Sequence, residues 1–190
     1  MLRGVLYSLM AIVLSSALAA CVQLSSIEGL PRPPRAAIEA YSLTGRIAVH
    51  QGEQRYSAGI AWQHDALRDE ILLSSPLGQG IAELTRDAGG ARLTMSDRKE
   101  YSASDWEGLS ARMFGFPLPL SLLPRWVVAD APEGATLDAS GRPKHFVAAG
   151  WTVDYPDYEN EAESALPQWV ELKRDDIELK LKIDEWQIVK

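Results

Sequence analysis

The sequence predicts a mainly β protein: a curled antiparallel sheet of ten or eleven short strands, covered by one apolar helical segment in mid-chain. Three observations predict it. From Leu43 onward, apolar and polar residues alternate with period two in short runs bounded by turn residues, the pattern of half-buried strands. The links between runs are too short for crossovers, so successive strands must be antiparallel neighbours. The rhythm breaks only at about Ser104–Val128, a stretch with helical spacing and many apolar residues, and then resumes. Twist accumulates with strand number, so a sheet of this size curls rather than lying flat.

The domain is preceded by an export signal. A basic end (Arg3) leads into an apolar run, Val5–Leu18, too short to span a bilayer as a stable helix, with the make-up of a secretory signal peptide. Leu18-Ala19-Ala20-Cys21 looks like the lipobox of bacterial lipoproteins, in which the cysteine thiol receives diacylglycerol. Cys21 is the only cysteine in the 190 residues, so it has no internal disulfide partner. Two or more acyl chains anchor stably where one does not, and the likeness to lipoproteins implies a triacylated Cys21. Val22 follows; an Asp at that place retains lipoproteins in the inner membrane of enteric-type bacteria, so its absence favours the outer membrane. The organisation expected is a cleaved signal at 1–20, a lipidated N-terminus and Pro/Ser/Gly-containing tether at 21–34, and one domain at 35–190. Loss of Arg3 with the signal lowers the 19 basic residues to 18 against 26 acidic ones, taking the net charge from −7 to −8. Nucleic acid is excluded as a partner by that balance, and a monomer is expected.

Within the domain, Arg35–Tyr41 suits a short helix opened by Pro33 or Pro34. Leu43, Gly45, Ile47 and Val49 then alternate with polar neighbours, and after a hairpin at Gln51–Gln54 so do Tyr56, Ala58, Ile60 and Trp62. Further strands are expected near 68–74, 79–86, 91–95 and 100–102, then 135–138, 145–147, 151–155, 168–173 and 177–188. The acidic link Pro156–Pro167 reads as long and mobile. In the central segment, Ser104-Asp105-Trp106-Glu107 reads as a capping box, with Ser104 as the cap and Glu107 reaching back. Trp106, Leu109 and Met113 share one helical face, and Gly115 stands where a helix ends. Phe116–Val128 is rich in proline and leucine, giving at most short helical turns.

Catalytic patterns are missing. His50, His64 and His145 show no metal-ligand spacing, and the sequence has no GxSxG elbow, GxxxxGK loop or GxGxxG turn. An enzyme is not expected, nor is a cofactor or metal. Two readings of the sheet stay open on the residues alone: a filled core with a structural role, or a pouch under a movable lid. Alternation nominates Ile47, Val49, Ile60, Trp62, Leu73 and Leu84 from the sheet, with Trp106, Met113 and Trp126 from the lid, as the residues lining such a pouch.

One turn stands apart. In Ser75-Pro76-Leu77-Gly78, Pro presets φ for the second place of a type I turn, yet the third place, normally polar, holds Leu77. A leucine there is either tucked under its own loop or held out toward something apolar.

The order of features resembles the LolB family of outer-membrane lipoprotein receptors over nearly the whole mature chain. The landmarks are Leu43-Thr44-Gly45-Arg46-Ile47-Ala48-Val49, Ala61-Trp62-Gln63, Leu72–Gly78, Gly115-Phe116-Pro117-Leu118-Pro119, Arg125-Trp126, Gly150–Tyr155, Leu166-Pro167 and Leu181–Trp186. One departure is Val127-Val128-Ala129-Asp130, where the family shows a residue pair and then Gly. The resemblance implies an incomplete, open antiparallel β-barrel of about eleven strands with a short α-helical lid over an apolar cavity, as in LolA and LolB. It implies a receptor that accepts triacylated lipoproteins from the periplasmic carrier LolA and inserts them into the inner leaflet of the outer membrane, without nucleotide hydrolysis. In that picture the loop of Pro76, Leu77 and Gly78 touches membrane lipid. Rivals are a LolA- or RseB-like carrier or sensor, which a lipobox disfavours, and a structural lipoprotein.

Overall fold

Successive strands pair with one another throughout, with a single exception in mid-chain. The computed structural model describes residues 32–189; the expected signal, Cys21 and most of the tether lie outside them. The strands are β1 (Tyr41–Gln51), β2 (Gln54–His64), β3 (Asp69–Ser74), β4 (Gly80–Asp87), β5 (Gly90–Met95) and β6 (Glu100–Ala103), followed by helices α1 (Trp106–Phe114) and α2 (Leu123–Val127). After these come β7 (Thr136–Leu137), β8 (Pro143–Ala148), β9 (Trp151–Tyr158), β10 (Pro167–Arg174) and β11 (Ile177–Ile188). All eleven lie in one sheet, in the order β6-β5-β4-β3-β2-β1-β11-β10-β9-β8-β7. First and last strands thus meet in the middle, and β6 and β7 are left as unpaired edges. The barrel is open, and the segment that joins its two edges carries both helices.

The β1–β11 seam runs antiparallel from Tyr41 opposite Ile188 to Gln51 opposite Ile177, with a bulge at Thr44/Gly45. A Cβ at residue 45 would sit 2.1 Å from the Lys182 carbonyl oxygen, so only glycine lets the two backbones close there. Period two sets the inner face: Tyr41, Leu43 and Val49 on β1 and Ile177, Leu179, Leu181 and Ile183 on β11 are buried.

Three local expectations are corrected. The N-cap of α1 is Asp105, not Ser104: its carboxylate accepts the Gly108 amide at 2.7 Å, while Ser104 Oγ donates to Asp105 at 3.0 Å. Glu107 does not reach back but accepts from the Ser121 amide at 3.1 Å, tying α1 to the start of α2. An acidic cap is the better partner for a helix N-terminus, which frees Glu107 for that link. The expected helix at 35–41 is a single 3-10 turn, Arg35–Ala37, because Tyr41 is drawn into the sheet opposite His64. The acidic link is anchored as well. β9 extends to Tyr158, Leu166 and Ala165 are buried, and Arg35 donates to the Glu163 and Ala165 carbonyls at 2.5 and 2.8 Å.

Candidate functional site

The β3–β4 turn closes as its residues require. Gly78 N–H donates to the Ser75 carbonyl at 2.9 Å, and the Ser75 amide donates to Gln79 O at 2.8 Å. The Ser75 hydroxyl takes the Gln79 amide at 3.2 Å, and Gly78 adopts φ +78°, open to glycine without strain. Between these fixed points Leu77 is 87% exposed, more than any other large apolar residue among those described. It is not tucked under its loop.

The nominated pouch residues all sit where alternation places them. Ile47, Val49, Ile60, Trp62, Leu73 and Leu84 lie on the inner face, with Ile60 opposite Leu73 and Ile71 linking Trp62 to Leu84. Trp106 and Met113 on α1 and Trp126 on α2 join the same apolar cluster. They fall into two groups. Val49, Ile60, Trp62, Trp106 and Trp126 are buried, whereas Ile47, Leu73, Leu84 and Met113 are only half-buried. Met95 and Tyr101, half-buried on β5 and β6, belong with the second group; they are not among those nominated, although extending the alternation to those two strands would have found them. The opposite half is solid: Val153, Val170, Leu172 and Leu179 on β9 to β11 are fully enclosed.

The two helices are held differently. α2 is fastened from below by two tyrosine hydroxyls, Tyr155 to the Trp126 carbonyl at 2.7 Å and Tyr41 to the Pro124 carbonyl at 3.3 Å. Trp126 packs edge-on against Phe146, ring centroids 5.9 Å apart. Burial raises the pKa of both tyrosines, keeping each hydroxyl a donor. α1 lies against β5 and β6 at the barrel's edge. Its polar ties are Arg112 to the Ser102 carbonyl at 2.6 Å and Glu107 to Ser121, both exposed, and one buried bond, in which the Leu118 amide donates to Ser110 Oγ at 2.9 Å. Just after α2, Ala129 holds φ +57° and gives its amide to Trp126 O at 3.0 Å.

At the end of the barrel away from Leu77, Trp62 is pinned by Asp69, a fully buried carboxylate. Asp69 accepts from Trp62 Nε1 at 2.9 Å, from His64 Nδ1 at 2.7 Å and from Arg86 Nε at 2.6 Å. Burial alone pushes this carboxyl up, but the bonds from His64, Trp62 and Arg86 outweigh it and hold the pKa below the ordinary value. Each of the three histidines faces a carboxylate: His64 meets Asp69, His50 meets Glu178 and His145 meets Asp154. Among the described residues no cluster of His, Cys, Asp or Glu is arranged to hold a metal ion, and no helix is long and apolar enough to cross a membrane.

The family model described as Outer membrane lipoprotein LolB matches residues 39–186. The chain belongs to this family. It is 42% identical over 166 residues to the outer-membrane lipoprotein LolB of Azoarcus sp. (strain BH72), covering 84% of this chain and 86% of that one. It is 40% identical over 155 residues to that of Nitrosomonas europaea, covering 78% and 73%. A crystal structure of a domain named for outer-membrane lipoprotein sorting, from Vibrio parahaemolyticus, is similar with a TM-score of 0.51 over 81% of this chain and 88% of that one. At 10% identity that likeness concerns the fold alone. Family membership places the chain in the outer membrane as a lipid-anchored protein of lipoprotein localisation.

Proposed function

We propose that the chain is an anchored acceptor: it takes triacylated lipoproteins from the periplasmic carrier LolA and inserts them into the inner leaflet of the outer membrane. Lipidated Cys21 tethers the domain, the inner face under α1 receives acyl chains, and Pro76, Leu77 and Gly78 present an apolar tip to the bilayer. The observation that carries this reading is Leu77, 87% exposed on a turn braced by three hydrogen bonds. A fully exposed leucine forgoes about 2 kcal/mol of transfer free energy in water, which a bilayer returns.

The uneven grip on the lid supports the same reading. Ile47, Leu73, Leu84, Met95 and Met113 keep partial exposure on the apolar cluster that α1 joins, and the ties of α1 to β6 and to the start of α2 are exposed and break at a cost of about 1 kcal/mol each. Lifting α1 while α2 stays fastened would open that half of the inner face. Carrier, pouch and membrane are all apolar, so a chain passing between them avoids exposure to water at about 0.8 kcal/mol per methylene. Direction then needs only an affinity step, a tenfold difference being about 1.4 kcal/mol.

Mixing LolA loaded with a labelled lipoprotein with this chain should move the label onto it without nucleotide. Label that stays on LolA, with no saturable binding of a fluorescent fatty acid to the chain, would favour the structural reading with a filled core.

A further inference from the structure

On the outer face, one cross-strand row runs from the base of the Leu77 loop across five strands. Ser74 stands opposite Gly59, Gly59 opposite Arg46, Arg46 opposite Lys182, and Lys182 opposite Trp169. At about 4.8 Å per strand the row is about 19 Å long. It floors a groove of about 710 Å³, walled at one end by Ser75, Pro76 and Gly78 and at the other by Trp169. The middle is low because residue 59 is glycine; a Cβ there would lie 2.5 Å from Ser74 Oγ.

Two details conflict with a purely structural role. Arg46 and Lys182 are directly opposed cations, an arrangement that costs stability in a sheet, in a chain whose net charge is −7. The nearby carboxylates do little to relieve it. Asp184 lies 3.9 Å from Arg46 with both side chains largely exposed, Glu171 and Glu178 are spent on Lys180 and Lys173, and Lys182 has no ion pair among the described residues. At the far wall, the Trp169 indole N–H is buried with no acceptor, which is costly unless one is supplied. One cation without an ion pair, a second held only by a long exposed one, and an unpaired donor, set among apolar lining such as Ala48, Ala58 and Pro76, match an oxyanion carried on an apolar body.

We propose that this row seats the phosphodiester of an anionic glycerophospholipid from the bilayer that Leu77 enters, with Arg46 and Lys182 on the phosphate and Trp169 at the headgroup level. The inference rests on the membrane-facing reading of the Leu77 loop. Once Leu77 is among acyl chains, the groove behind it lies at the depth where tryptophan, lysine and arginine favour the interface. Bound there, the lipid orients the open edge of the barrel toward the leaflet.

The test is a titration of the full chain, in a nonionic detergent, with dihexanoylphosphatidylglycerol, following the amide resonances of Gly59 and Ser74. Saturable shifts are expected, weakened at least tenfold by Lys182→Glu and at least threefold by Arg46→Gln. Arg92→Glu, the same charge change on a distant exposed residue, should stay within twofold. Dihexanoylphosphatidylcholine should bind at least fivefold more weakly. Absence of saturation, indifference to Lys182→Glu, or equal shifts from inorganic phosphate alone would each overturn the proposal. No lipoprotein or bilayer is present, so failure here and failure of lipoprotein delivery are separate results.

Discussion

The Tyr155 hydroxyl donates to the Trp126 carbonyl at 2.7 Å, fixing the second lid helix to strand β9. That carbonyl also accepts the Ala129 amide at 3.0 Å, so losing the hydroxyl does not leave it bare. Tyr155→Phe is therefore expected to cost about 1 kcal/mol, read as a lower urea midpoint at unchanged slope. Hydrogen exchange should quicken at α2 and not at α1. An unchanged midpoint would mean that packing alone holds α2.

Ala129 is the reverse case. A non-glycine residue in the left-handed region costs about 1–2 kcal/mol, and Ala129 sits there at φ +57°. Glycine would relieve that strain but add about 0.4–1 kcal/mol of unfolded-chain freedom. Ala129→Gly should raise unfolding stability by about 0.5 kcal/mol, measured by denaturant. A loss of stability would show that the buried methyl group contributes more than its strained backbone costs.

Asp69 gives a pH signature. Its folded pKa is depressed, so its contribution is complete above the unfolded value of about 4 and is lost as pH falls through the folded value. Asp69→Asn removes the charge facing Arg86 and His64 and should cost about 3 kcal/mol at neutral pH. The variant's stability should also fall less steeply than the parent's between pH 5 and pH 2. Parallel pH profiles would show that Asp69 does not titrate differently in the two states.

Most of the fold was legible because period two is strict. In β11 each of Ile177, Leu179, Leu181 and Ile183 is buried and each intervening residue is not, so strand, face and inner residues could be read together. Chemistry that depends on neighbours distant in sequence was not legible. Nothing local tells Ser104 from Asp105 as a cap, because the choice rests on Glu107 finding Ser121. The anchoring of the acidic link depends on Arg35, 128 residues earlier than Glu163. The tie of Tyr41 and Tyr155 to the lid could not be read, since their hydroxyl acceptors lie on α2. The outer row from Ser74 to Trp169 emerges only once five strands are set in register. Leu77 was visible as an anomaly, an apolar residue at a polar turn position, but its exposure required the turn to be built.

The central claim, that a presented leucine delivers cargo held by the barrel, is tested most directly by Leu77→Glu. At 87% exposure the substitution should leave unfolding stability within about 0.5 kcal/mol. Lipoprotein should still pass from LolA to the variant, while its release into phospholipid vesicles should fall at least tenfold, cargo remaining bound to the chain. Release at the parental rate, with uptake and stability unchanged, would contradict the account.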